Sequence, residues 1–225
     1  DQLGTISEKA GVTGNVWVRP NPVDTERFKP VDDEARNAAK KELFGFEPDV
    51  RTIVYVAKFL KRKNHSFLID VLEKLPENYR LVLAGPPLPE IHSVSGLTES
   101  ELPTLQAKAN KLGVGGRLVI RPGFVDFAKY LEAADLTCFP SENEGMGTPL
   151  LESLAAKIPV VANFGEPSFR QHIKDDFNGF LCPLDPAKWA EAIIKTEQFS
   201  NDQKGEFSAD IRSRYSTEKI DGNYY

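Results

Sequence analysis

The chain has 225 residues, of which 40% are apolar, and this is enough for one large or two small domains with a hydrophobic core. Its formal net charge of −5 argues against a nucleic-acid partner, because duplex binding requires clustered positive charge. No apolar run approaches the roughly 20 residues that a membrane span needs, and no signal peptide is seen at the start.

Short apolar strands alternate with amphipathic helices along the chain. After a first short strand near 15–19, the pattern predicts strands at 52–57, 79–84, 117–121, 136–139, 159–162 and 179–182. It predicts helices at 33–43, 65–75, 99–112, 127–134, 149–156, 186–196 and 203–224, the last broken near Arg214 or Tyr215. Such alternation is typical of a parallel sheet covered on both faces. We therefore predict an α/β fold with a doubly wound, Rossmann-like, six-stranded parallel sheet.

A basic turn follows the first strand of this sheet. Lys58 comes directly after strand 52–57, and the run Lys61-Arg62-Lys63-Asn64 leads into the next helix. Taken alone, this turn would be interpreted as exposed and solvated. Further along, the segment from Pro86 to Gly96 is a long loop with three prolines. It could overhang a ligand crevice, but we favour a tolerated insertion.

Two glutamates bracket a glycine turn between a predicted strand and a predicted helix. The segment Glu144-Gly145-Met146-Gly147-Thr148-Pro149-Leu150-Leu151-Glu152 lies between strand 136–139 and the body of helix 149–156. The unpaired N–H groups and the dipole at a helix start favour an anion such as a phosphate. A carboxylate can accept hydrogen bonds from two hydroxyls, as a sugar diol requires. This combination suggests a nucleotide-sugar site; the alternative is a strand–turn–helix junction with two solvated glutamates.

The predicted topology brings these two polar patches together. In a doubly wound sheet of order 3-2-1-4-5-6, strands one and four are neighbours, and ligands bind outside their carboxyl ends. The first core strand ends at Lys58 and the fourth ends just before Glu144. Both patches are therefore expected at one crevice.

The glutamate spacing resembles the signature of retaining GT-B glycosyltransferases of family four, the glycosyl transferases group 1. That signature is Glu-Gly-Phe-Gly, four variable residues and Glu, and here Met146 replaces the aromatic residue. The basic turn is similar to the family's Gly-Arg, four residues, Lys-Gly, with Lys63 at the lysine position and Lys58 in place of the arginine. Other segments that resemble the family are Val18–Phe28, Gly123-Phe124-Val125, 130–135, 158–162, 178–181 and 214–220.

The resemblance implies a division of the chain and a set of site residues. Residues 1–30 would be a linker segment from a missing N-terminal domain, and 31–225 would be the nucleotide-sugar donor-binding domain. Glu144 would lie beside the donor sugar, and Glu152 would accept the ribose hydroxyls. The implied catalytic residues are Glu144, Lys58 and Lys63, and the implied donor-binding residues are Gly85, Phe124, Val125, Gly145, Met146, Gly147, Thr148, Leu151 and Glu152.

The implied reaction moves a sugar from a nucleoside diphosphate sugar to an acceptor with retained anomeric configuration. No cofactor or metal is expected, because fixed cations would neutralise the diphosphate, and Cys138 and Cys182 are interpreted as inert core thiols. Expected partners are the donor, a sugar, lipid or small-molecule acceptor, and the missing domain. The location would be cytoplasmic, either free or peripheral to the membrane through that domain.

Two alternatives remain open, a GT-B isomerase of the nucleotide-sugar 2-epimerase type and a non-catalytic nucleotide-binding module. Because the chain starts at Asp1 and has Met146 as its only methionine, we expect a fragment that binds donor without transferring sugar.

Overall fold

The computed structural model describes residues 20–87, 102–145 and 147–222, together with Gly11. It contains a six-stranded sheet, with β1 neighbouring β4 at the centre. All adjacent strands pair in parallel in the order β3-β2-β1-β4-β5-β6, which confirms the predicted doubly wound topology. The strands are β1 Arg51–Val56, β2 Tyr79–Gly85, β3 Leu118–Pro122, β4 Leu136–Phe139, β5 Val160–Asn163 and β6 Gly179–Cys182.

Helices cover the sheet, and their boundaries follow local capping chemistry. Ser200 begins the long helix α8 earlier than predicted, because its side chain accepts the N–H of Gln203 at 3.1 Å. The predicted break near Tyr215 is present, since α8 ends there. A four-residue helix, α6, was not predicted. The helices are α1 Asp33–Phe44, α2 His65–Lys74, α3 Leu102–Lys111, α4 Phe127–Glu132, α5 Thr148–Ala155, α6 Pro167–Arg170, α7 Pro186–Lys195, α8 Asn201–Tyr215 and α9 Thr217–Gly222.

Three predicted features lie outside the described residues. These are the short strand near 15–19, the loop from residue 88 onward and the start of the predicted helix at 99–101. The described parts of the chain contain no helix that is long and apolar enough to span a bilayer.

The core lies on both faces of the central strands. Every residue of β4 and β5 is buried, and large side chains from the helices close over them. Trp189 of α7 is fully buried and meets Phe67 of α2 edge-on, with ring centroids 5.2 Å apart. Each such side chain stabilises the fold by roughly 1.5–3 kcal/mol through apolar burial. The sheet is thus a rigid support for the loops at its carboxyl edge.

A buried charge network joins the elements at the opposite, amino edge of the sheet. Lys40 is buried, and its Nζ lies 2.7 Å from the carboxylate of Asp135 and 2.8 Å from the carbonyl of Val50. The same carboxylate accepts the N–H of Thr52 at 2.7 Å. A buried charge is tolerated only when it is paired in this way, so the network holds α1 against β1 and β4.

The described part of the linker segment, residues 20–30, packs against the body of the domain. Val23 and Phe28 are buried in the core. The N–H of Val23 donates to the carbonyl of Tyr215 at 2.7 Å, and the Arg212 guanidinium donates to the carbonyl of Thr25 at 2.8 Å. Through Val23 and Phe28 this segment shares one core with the rest of the described chain.

Candidate functional site

A cavity of about 200 Å³ opens at the carboxyl ends of β1 and β4, where the winding of the sheet reverses. It lies between the basic turn that follows β1 and the glycine turn that precedes α5. The two turns therefore meet at one crevice. The lining residues are Tyr55, Val56, Ala57, Lys63, Phe139, Ser141, Glu144, Gly147, Thr148, Pro149 and Phe169.

The basic turn is held in place by hydrogen bonds on both sides. The Tyr55 hydroxyl donates to the carbonyl of Lys63 at 3.0 Å. Asn64 has a left-handed φ of 55°, and its side-chain amide donates to the carbonyl of Pro140 at 2.9 Å and to the Glu142 carboxylate at 3.1 Å. These bonds connect the loop after β1 to the loop after β4 and so fix the width of the crevice.

Lys63 and Glu144 form an ion pair inside the crevice. Their side chains are only 15% and 19% exposed, so water screens the pair weakly. Lys58, in contrast, has an exposed side chain and does not line the cavity. Of the two lysines that the sequence singled out, the structure brings only Lys63 to Glu144.

Glu166 supports Glu144 from behind, and sequence reasoning missed it. It is only 4% exposed, and its carboxylate accepts the backbone N–H of Glu144 at 2.9 Å. The other carboxylate oxygen accepts the N–H and the hydroxyl of Ser168 at 3.1 and 3.0 Å and so caps α6. The sequence signal was a cap residue followed by Pro167 at a first helical turn. Nothing in that signal indicated the contact with Glu144.

Gly147 is the N-cap of helix α5, with a left-handed φ of 64° and no side-chain hydrogen bond to cap the helix. A β-carbon here would lie 3.2 Å from the Phe169 ring, so both the backbone conformation and the space favour glycine. Pro149 has no N–H, and the N–H groups of Leu150 and Leu151 donate to the carbonyl of Gly147 at 2.9 and 3.3 Å, so the N–H of Thr148 is the one in this turn without an intrahelical acceptor. The helix dipole is positive at this end. Thr148 and Pro149 of this first turn line the cavity. The arrangement can therefore hold an anion.

Three other predicted residues of this turn and helix occupy different environments. A β-carbon added to Gly145 would meet no protein atom within 4 Å, so this glycine borders open space. Leu151 is buried in the core, and its side chain does not line the crevice. Met146 lies outside the described residues.

Glu152 lies on α5 one turn beyond the crevice. Burial raises the pKa of its carboxyl to about 7, and the charge of Arg27 acts in the opposite direction. Arg27 does not bond to it, because its guanidinium donates to the carboxylate of Asp126 at 2.9 Å. Near neutral pH the protonated and the ionised forms of the Glu152 carboxyl are therefore both populated.

The turn after β3 presents an aromatic ring to solvent. Phe124 is 93% exposed, and Val125 beside it is half-buried. The preceding residue, Gly123, donates its N–H to the carbonyl of Gly85 at 2.8 Å. Gly85 has a φ of 142°, and a β-carbon there would lie 2.1 Å from the carbonyl oxygen of Ala57. The absence of a side chain at Gly85 thus lets the loops after β1, β2 and β3 lie side by side.

The described residues contain no group of three or more His, Cys, Asp or Glu side chains that could hold a metal ion. Cys138 and Cys182 are free and buried. Burial raises the pKa of the Cys182 thiol to about 11 and that of Cys138 still further above its usual range. Both thiols are therefore neutral at physiological pH.

The sequence of this chain matches a family model and several curated proteins. The model of the family described as "Glycosyl transferases group 1" matches residues 37–213. D-inositol 3-phosphate glycosyltransferase of Xylanimonas cellulosilytica is 31% identical over 183 residues, which are 79% of this chain and 42% of that protein. The chain spans half or less of the length of the first curated relatives it matches.

Solved structures share the fold. HepE of Anabaena, in complex with UDP and glucose, superposes with a TM-score of 0.80 at 18% identity, over 99% of this chain and 60% of HepE. The C-terminal domain of the glycosyl transferase group 1 family protein LpcC of Francisella tularensis superposes with a TM-score of 0.66 at 20% identity. That match covers 87% of this chain and 99% of the crystallised domain.

Proposed function

We propose that this chain, which belongs to the glycosyl transferases group 1 family, is the donor-binding half of an enzyme that transfers a sugar. The donor would be a nucleoside diphosphate sugar. The observation that carries the proposal is the convergence of Lys63, Glu144 and the open start of α5 on one crevice. A cation, a helix N-terminus and a carboxylate are the groups that a diphosphate joined to a sugar requires.

The donor would extend across the carboxyl edge of the sheet. Its diphosphate would bind at the start of α5 and at the Lys63 ammonium, where the space beside Gly145 leaves room for it. The ribose hydroxyls would donate to Glu152, and the base would stack on the exposed ring of Phe124. HepE, which shares the fold, is known in complex with UDP, so UDP is the first nucleotide to test.

The chemistry of transfer follows from the charges in the crevice. Breaking the bond between the anomeric carbon and the phosphate builds negative charge on the leaving diphosphate and positive charge on the sugar ring. The Lys63 ammonium, the N–H of Thr148 and the dipole at the start of α5 would stabilise the diphosphate. The Glu144 carboxylate would orient the sugar hydroxyls or stabilise the ring cation. A phosphate that approaches Lys63 competes with Glu144 for it, and this frees the carboxylate to turn toward the sugar.

Retention of the anomeric configuration and independence from metal are part of this proposal. Retention requires the acceptor oxygen to attack the face that the diphosphate leaves. Lys63 and the helix dipole would supply the positive charge that the diphosphate needs. Lys58 would add a longer-range positive field, since its side chain is exposed and it follows Ala57, which lines the cavity.

Calorimetric titration with UDP, GDP and ADP tests the proposal. We expect at least one nucleoside diphosphate to bind, and Lys63→Ala to weaken that binding by about 1–3 kcal/mol through loss of a charge-assisted hydrogen bond. Lys61→Ala is the matched control, because Lys61 is an exposed lysine of the same turn and does not line the cavity. If the two substitutions weaken nucleotide binding equally, Lys63 is not a specific contact of the site.

We further propose that these residues bind donor without transferring sugar. Transfer requires an acceptor oxygen held about 3–3.5 Å from the anomeric carbon, and such positioning can contribute about 7–11 kcal/mol. In this proposal the acceptor groups lie in the rest of the longer protein. Incubation with donors and acceptors should give at most slow hydrolysis, and the longer protein should give transfer that Glu144→Ala abolishes. Robust transfer by the 225 residues alone would contradict this division.

A further inference from the structure

We propose that residues 21–27, here called the bracing segment, hold the phosphate end and the base end of the donor site in register, and that Arg27 is the positioning residue that sets how strongly the site binds ribose. This inference rests on the proposed function and concerns residues that lie outside the crevice itself. Three independent sets of contacts carry it.

The first contact lies at the phosphate end. The side-chain amide of Asn21 donates to the hydroxyl oxygen of Thr148 at 2.9 Å, across 127 residues of sequence. Thr148 is the first residue of α5 and lines the crevice. Because α5 has no side-chain cap of its own, this bond from the bracing segment fixes the rotamer of the first residue in the helix.

The second contact lies at the base end. The Arg27 guanidinium donates to the Asp126 carboxylate at 2.9 Å, and the same carboxylate oxygen accepts the N–H of Ala128 at 3.1 Å and caps α4. Asp126 comes two residues after Phe124, the exposed ring of the turn that follows β3. The bracing segment thus bonds to the turn proposed for the base and to the helix proposed for the phosphate.

The third set of contacts makes the bracing segment rigid. The Asp24 carboxylate accepts the N–H groups of Glu26 and Arg27 at 3.2 and 3.0 Å and closes a tight turn. Val23 is completely buried, and the backbone of the segment is bonded to Tyr215 and Arg212 of α8. Since the middle of the segment, at Val23 and Thr25, is fixed to α8, Asn21 and Arg27 extend from an anchored backbone to the two ends of the site.

Arg27 also acts on Glu152 through its charge. Arg27 is the charged group that opposes the effect of burial on the Glu152 carboxyl, and Arg27 itself faces Asp126 and Asp24. The Asp126 bond keeps the guanidinium from pairing with Glu152. The carboxylate therefore stays available to two ribose hydroxyls while the positive charge nearby favours its ionised form.

The test compares UDP with 2′,3′-dideoxy-UDP by calorimetry on this chain between pH 6 and pH 8.5. The ratio of the two affinities cancels the titration of the terminal phosphate. For the unsubstituted chain we expect a preference for UDP that falls about tenfold or more as the pH drops through about 7, because protonated Glu152 loses an acceptor. Glu152→Gln should show no pH dependence of this ratio.

The pH dependence of the UDP preference has a midpoint, and two substitutions should move this midpoint in opposite directions. Arg27→Met removes the positive charge and should move the midpoint to higher pH. Asp126→Asn keeps a cap for α4 but weakens its hold on Arg27, which should then approach Glu152 and move the midpoint to lower pH. Arg27→Lys keeps the charge and should leave the midpoint close to that of the unsubstituted chain. Both residues are about half exposed, so these substitutions should not unfold the domain.

Asn21→Ala provides a separate readout for the other end of the bracing segment. This substitution should weaken the binding of UDP and of inorganic pyrophosphate by the same factor of about two to ten, because it removes one neutral hydrogen bond. The pH midpoint of the UDP preference should not change. Equal midpoints for Arg27→Met, Asp126→Asn and the unsubstituted chain would overturn the inference, as would the absence of any UDP preference. If none of UDP, GDP and ADP binds, the proposed function itself is contradicted.

Discussion

Replacing Glu152 by glutamine should make the free domain more stable while it weakens nucleotide binding. The carboxyl has a pKa of about 7 in the folded protein and 4.5 ordinarily, because burial disfavours its charge. The folded state thus holds this proton more tightly than the unfolded chain does, and stability falls as the pH rises from about 4.5 to about 7. At roughly 1.4 kcal/mol for each pKa unit, the charged form destabilises the fold by about 3 kcal/mol at pH 8.

Glutamine has nearly the same shape and cannot ionise, so it removes this penalty. We expect Glu152→Gln to raise the free energy of unfolding by about 3 kcal/mol at pH 8 and by about 1 kcal/mol or less at pH 5. For a domain of this size the gain at pH 8 corresponds to roughly 5–10 °C in Tm. Thermal and denaturant unfolding at the two pH values measure it, and calorimetry with UDP measures the accompanying loss of affinity.

Glu206→Gln is the matched control, because Glu206 is an exposed glutamate on helix α8. It should change stability by less than about 0.5 kcal/mol at either pH. A stability loss in Glu152→Gln at pH 8 would refute the reasoning, since it would mean that the carboxylate makes stabilising bonds in the free protein. A gain of equal size at pH 5 and pH 8 would also refute it.

Three further predictions concern other parts of the molecule. Gly85→Ala should destabilise the domain by at least about 2 kcal/mol in denaturant unfolding, because the new β-carbon would lie 2.1 Å from a backbone oxygen. Burial lowers the pKa of His172 to about 4, so stability should fall as the pH drops from about 6.5 toward 4, and NMR should find its ring neutral at pH 5.5. Glu166→Ala should leave the partly buried N–H of Glu144 without its acceptor, lower stability by about 1–3 kcal/mol and weaken nucleotide binding.

Each of these has a control within the chain. Gly113 also has a positive φ, of 75°, but a β-carbon there would meet no atom within 4 Å, so Gly113→Ala should destabilise less than Gly85→Ala. His172→Gln should abolish the fall in stability on acidification that His172 causes. Glu166→Gln keeps an acceptor oxygen and should weaken binding less than Glu166→Ala. The opposite order in either pair, or a protonated His172 ring at pH 5.5, would contradict these assignments.

Much of the fold could be predicted from the sequence because local signals agreed with it. The alternation of apolar strands and helices was sufficient to give the order of the sheet, with β1 beside β4. Boundaries were less accurate where a single cap decides them, as at Ser200, whose hydroxyl starts α8 before the apolar pattern begins. Helix α6 was missed because four residues are too few to show a helical period.

The site was harder to predict because its geometry depends on contacts between distant residues. The basic turn contains several lysines, and only the short 3-10 turn at Lys61–Lys63 and the Tyr55 bond determine which of them enters the crevice. Glu166 supports a backbone group 22 residues away, and Asn21 meets Thr148 across 127 residues. No local pattern encodes either contact. The family itself was predicted correctly, because its motifs are local in sequence.

The buried pair of Lys40 and Asp135 has a consequence for how such a domain can diversify. It holds the sheet together at the edge opposite the crevice, so residues that secure folding and residues proposed for recognition occupy opposite ends of the same strands. Mutations in the loops at one end can then accumulate without disturbing the other. A lineage could exchange one donor for another through loop variation alone, whereas Asp135→Asn would remove a partner that every such descendant needs.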